Sequence, residues 1–70
     1  MNDQQKAAFE LGVIRSAINL QHNFCQPDMA AQLLIDGGCS KFNARNFCEY
    51  DKIALRAIND NERINIRGLR

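Results

Sequence analysis

No apolar run in this chain approaches the roughly 20 residues that a membrane-spanning helix needs. The opening residues, MNDQQKAAFE, are polar and carry no basic region ahead of an apolar stretch. A secretory signal is therefore not expected, and a cytoplasmic location is the default. Cysteine occurs three times, at Cys25, Cys39 and Cys48, so the thiols cannot all pair within one chain. Reduced thiols are expected rather than a disulfide framework. No Cys-x-x-Cys pair is present, no glycine-rich phosphate loop flanks Gly37-Gly38, and the acidic residues are scattered rather than paired. Proline occurs once and glycine four times, while 46% of residues are apolar and 24% charged, a balance that excludes a disordered chain. Internal repeats and low-complexity segments are also missing.

What is present is organised around Ala7–Leu20, AAFELGVIRSAINL. Ala7, Leu11, Ile14 and Ile18 form one row at helical spacing, and Phe9, Val13, Ala17 and Leu20 form a second that continues toward Phe24. A helix with two apolar rows needs two partners. The first row is expected in the core; the second can be core or interface. Gly12 interrupts the helix, at a cost of about 1 kcal/mol relative to alanine, or else admits a close backbone. Asp3 is available as the first cap.

Pro27 suits the first position of a second helix, with Asp28 beside it at the positive end of the dipole. Asp36-Gly37-Gly38 stops that helix, whose main buried face is Ala30, Leu33 and Leu34. Ser40 can cap a short third helix, and Asn46 with Glu49 has the spacing of a capping box for a fourth. On that last stretch the apolar face reads as Phe47, Tyr50, Ile53, Ala54, Ala57 and Ile58, with Leu55 off it. The expected fold is all-α: one domain over 1–70, a three-to-four-helix bundle with helices at about 4–22, 27–36, 41–46 and 47–59. The tail, 60–70, is read as irregular or strand-like and free to flex. Ile64 and Ile66 alternate there with Arg63, Asn65 and Arg67; a strand would need a second copy or a partner's sheet edge, and a loose terminus with one isoleucine tucked onto the core is the preferred reading.

Three chemistries can be weighed on the residues. His22 with Cys25, Cys39 and Cys48 is the right set for zinc, at poor spacing, so no metal or other cofactor is expected. A thiol nucleophile would need a neighbouring base, and nothing places the single histidine beside a cysteine. So small a chain also has little room for a water-excluding pocket, so an enzyme is not expected. Residues 1–40 carry Lys6 and Arg15 against four acids, net −2, and residues 41–70 carry seven cations against four acids, net +3. If 41–56 were one continuous helix, Lys41, Arg45, Lys52 and Arg56 would lie within about 60° of one another, a candidate nucleic-acid stripe in a helix-turn-helix. Glu49 and Asp51 beside the stripe argue against it.

Protein binding is the leading expectation. Chains near 70 residues sit near the lower limit for a self-sufficient core, which favours self-association or a partner. The residues expected at an interface are Phe9, Val13 and Leu20 of the second row, with Arg63, Ile66 and Arg67 of the tail. In general character the short, helical, motif-free chain resembles small accessory proteins of bacteria and their phages, many of which occupy a larger protein's surface. That implies a non-enzymatic adaptor or stoichiometric inhibitor acting on a larger protein, on a second copy of itself, or on both. A DNA-binding regulator is the alternative, and no membrane partner is expected.

Overall fold

The computed structural model describes residues 2–61 and 63–69; Glu62 and Arg70, both counted in the charge of the second half, lie outside the described residues. Three helices follow in order: α1 (Asp3–Phe24), α2 (Pro27–Asp36) and α3 (Glu49–Ile58). The small all-α fold expected from periodicity is therefore found, and no described helix is long and apolar enough to cross a membrane.

Local chemistry accounts for the helix ends. The first cap is Asn2 rather than Asp3. Its Oδ1 accepts from Gln5 N at 2.8 Å, and Gln5 Oε1 accepts from Asn2 N at 3.2 Å, a reciprocal capping box. Asp3 instead complements the dipole in the first turn. α1 ends where Cys25 turns left-handed at φ 50° and its N–H reaches Gln21 O at 3.0 Å. Pro27 starts α2 two residues later. At its end Gly38 takes φ +74°, with Gly38 N on Ile35 O at 3.0 Å and Cys39 N on Leu34 O at 2.7 Å, the paired bonds of a Schellman motif. Gly37 serves packing: a Cβ there would stand 2.7 Å from Val13 Cγ1, so its absence lets the end of α2 close onto α1.

The core joins Ile14, Ala17 and Ile18 of α1, Ala30, Ala31 and Leu34 of α2, and Ala54, Leu55 and Ile58 of α3. The buried face of α3 is Asp51, Ala54, Leu55 and Ile58, rotated from the expected one. Leu55 is fully buried, whereas Tyr50 and Ile53 are exposed. The reason lies on another helix. Arg15 Nη1 of α1 meets Asp51 Oδ2 at 2.9 Å, so a carboxylate can face inward and turn the helix with it. A guanidinium within hydrogen-bond range removes most of the penalty of burying that charge.

The segment 41–46 is not helical. Asn43 forms a parallel bridge with Arg67, and the two stretches are joined by Asn65 N to Ser40 O at 3.0 Å, Arg67 N to Phe42 O at 2.9 Å and Ala44 N to Arg67 O at 2.7 Å. α3 is the crossover that a parallel pairing requires. On the tail's other side, Asn59 at the end of α3 accepts from Ile66 N at 2.8 Å and donates to Ile66 O at 3.4 Å. From Asn65 to Arg67 the tail thus finds hydrogen-bond partners on both sides within its own chain. Ile64 and Ile66 are buried beneath it, and Arg56 Nε holds Leu69 O at 2.9 Å. Gly68, at φ +75°, passes so close that a Cβ would run into the Asn43 side chain and stand 2.7 Å from Arg45 N.

Candidate protein-interaction surface

His22 and Cys39 are placed for packing. The His22 ring stacks on Tyr50 with centroids 3.9 Å apart and planes 12° from parallel. Its Nε2 lies 3.0 Å from the Tyr50 carbonyl, which only an N–H on that nitrogen can satisfy. The ring therefore ties the last turn of α1 to the first turn of α3. Cys39 is buried, with its thiol directed at Gly37 O at 3.5 Å. Burial, with the Glu10 carboxylate adding to it, pushes that thiol above its ordinary range, the opposite of what a nucleophile requires. Cys25 and Cys48 are exposed at helix boundaries. Among the described residues no three His, Cys, Asp or Glu side chains come together as metal ligands.

The apolar surface divides along α1 rather than between its two rows. Ile14 and Ile18 of the first row are buried, but Ala7 and Leu11 of the same row are exposed, contrary to expectation. In the second row Ala17 is fully buried, Val13 and Leu20 are half-buried, and Phe9 is 52% exposed. Length is the cause. At about 1.5 Å per residue, a helix of 22 residues runs about 33 Å and one of 10 only about 15 Å. The molecule's long dimension is 32 Å, set by α1, and its two short partners cover only the C-terminal half. From Asp3 to Gly12 every residue is exposed except Glu10, which is half-buried.

Two shallow depressions lie along the boundary between covered and uncovered surface. One, about 350 Å³, is lined by Ala8, Phe9, Gly12, Val13, Ser16 and Leu33. The other, about 300 Å³, is lined by Leu20, Met29, Gln32, Leu33 and Asp36. Leu33 belongs to both, so the two form one face, running roughly 16 Å from Phe9 to Leu20 along α1 by helical rise. Among the described residues, nothing stands within 4 Å of a Cβ added at Gly12. Sequence reasoning placed Leu33 in the core and missed Met29, which is 58% exposed; the unequal helix lengths were the available signal.

The other expected interface residues separate. Arg63 and Arg67 are exposed, whereas Ile66 belongs to the core and is only 4% exposed, because alternation turns it inward. The basic stripe does not form, since Lys41 and Arg45 stand on non-helical backbone apart from Lys52 and Arg56. Arg56 is engaged by Glu49 at 2.7 Å and by Leu69 O, and its guanidinium holds the Glu49 carboxyl below the usual carboxylate range. Lys52 is half-buried. Compared with known proteins, the chain matches no family model, no curated protein and no solved structure.

Proposed function

We propose that this chain is a small, non-enzymatic protein-interaction module. It acts in the cytoplasm as an adaptor or stoichiometric inhibitor on the surface of a larger protein, in the manner of bacterial and phage accessory proteins, and it self-associates through the same face. The observation that carries this reading is the uncovered N-terminal half of α1, with Phe9 beside an apolar groove completed by Leu33 and Met29. Most helical stability in proteins comes from packing an apolar face. Three turns that hold Ala7, Phe9 and Leu11 without cover, weakened further by Gly12, gain most from a second helix laid against them. The helix-turn-helix alternative has less support, because the first two cations of its stripe, Lys41 and Arg45, stand on non-helical backbone.

Phe9→Glu is the clean probe. Val13 packs against Gly37, so a charge there would disturb the fold as well as the face. Sedimentation equilibrium of the wild type should give a mass that rises with concentration, and Phe9→Glu should remain at monomer mass. At a concentration where the wild type is monomeric, its melting temperature should stay within about 3 °C of wild type, since surface changes lie within about 0.5 kcal/mol. A wild type that stays monomeric, or a variant that unfolds, would overturn the self-association or the assignment of Phe9 to the surface.

A further inference from the structure

The pairing of 40–44 with 65–67 sorts its side chains strictly. Phe42, Ala44, Ile64 and Ile66 face inward and are buried or half-buried, while Lys41, Asn43, Arg45, Arg63, Asn65 and Arg67 are all exposed. Neither 40–46 nor 63–70 contains an acidic residue, although Glu62 directly precedes Arg63 in the sequence. Among the described residues the ion pairs are Arg15–Asp51 and Arg56–Glu49, so these four cations are in none of them. The platform beneath is held by the hydrogen bonds of the pairing, the Asn59 clamp on Ile66 and the isoleucines underneath. Where they pair, at Asn43 and Arg67, the two segments lie about 4.8 Å apart, and Arg45 and Arg63 stand in turns just beyond the pairing.

We infer that the face formed by Lys41, Arg45, Arg63 and Arg67, with Asn43 and Asn65, binds the phosphate backbone of duplex nucleic acid without reading its sequence. The cations and amides are donors suited to phosphate oxygens. An acidic protein is the weaker match, because the face has no apolar or aromatic anchor; its apolar members all point into the core. A single strand is also weaker, because the face has no exposed ring on which bases could stack. This surface shares no residue with the Phe9 groove and does not depend on the reading given to that groove.

Fluorescence anisotropy with a labelled duplex of about 20 bp and mixed sequence tests the assignment over about 20 to 200 mM salt. Four phosphate contacts would give a slope of log affinity against log salt between about −2 and −4, with micromolar binding at the low end. Arg45→Glu with Arg67→Glu should weaken binding by roughly tenfold or more, while Lys6→Glu with Lys52→Glu, an equal change in net charge, should weaken it by less than about threefold. Phe9→Glu should bind as wild type does. Equal losses in the two double variants, no binding at low salt, tighter binding to oligo(dT), or displacement by poly-glutamate at equal charge would each overturn the inference. Should either glutamate pair melt early, Arg45→Gln with Arg67→Gln gives the same comparison, and the wild-type slope stands by itself.

Discussion

Ile66→Asp is expected to unfold this protein at room temperature. Ile66 lies in the core at 4% exposure, its N–H and carbonyl are both held by Asn59, and the bridge at Arg67 follows directly. Burying an isoleucine contributes about 1.5–3 kcal/mol, and forcing a carboxylate into the same place adds several more against the fold. A domain of this size has about 4–10 kcal/mol in total, at about 0.05–0.15 kcal/mol per residue. Circular dichroism should show the loss of helix far from the substituted residue, in α1 and α2. Ile66→Val, which removes one methylene, should cost only about 0.5–1.5 kcal/mol. Arg63→Ala and Arg67→Ala, on the exposed side, should stay within about 0.5 kcal/mol of wild type. An aspartate at 66 that left the urea midpoint unchanged would mean that the tail is not part of the core.

Leu55→Ala should cost about 2–5 kcal/mol in urea unfolding, and Ile53→Ala about 0.5 kcal/mol or less. The two residues are similar in size and two positions apart, but Leu55 is 0% exposed and Ile53 56%. For a domain of 60–100 residues each kcal/mol shifts the melting temperature by about 4–8 °C, so Leu55→Ala should melt at least about 8 °C early. The contrast tests the orientation of α3 directly. If Asp51 faced solvent and Ile53 the core, the two results would exchange.

Which parts of the fold could be read from sequence follows from how local each determinant is. Pro27 and Asp28 at the start of α2, and Gly37-Gly38 at its end, act on backbone within a few residues, and both placed the helix correctly. The orientation of α3 was misread because Tyr50 and Ile53 are apolar and Asp51 is not; only Arg15, 36 residues away, makes an inward carboxylate favourable. The segment 41–46 was misread for the same reason. Its period-two alternation is short, and the stretch that completes it begins beyond α3. The tail, read as a loose terminus or as a strand in want of an edge, shows the same omission, because its pairing segment lies on the far side of α3.

The candidate surface was half legible. Phe9, Val13 and Leu20 do lie along one exposed or half-exposed line. The two-row pattern, however, concealed that coverage ends partway along α1. Helix lengths of 22 and 10 residues contain that information, because a partner of about 15 Å cannot shield a helix of about 33 Å. The cationic face could not be found by scanning for helical stripes, since Lys41 and Arg45 meet Arg63 and Arg67 only through the paired segments.

Native-state hydrogen exchange along α1, measured at low and at high protein concentration, tests the central claim most directly. In the monomer, amides from Ala7 to Gly12 should exchange at close to the rate of a fraying end, with an opening free energy near zero, while those from Ile14 to Ile18 should open only with global unfolding. On self-association the first group should become protected. Protection of Ala7–Gly12 equal to that of Ile14–Ile18 in the monomer would contradict the account, because it would show that the chain itself already covers the half of α1 assigned to a partner.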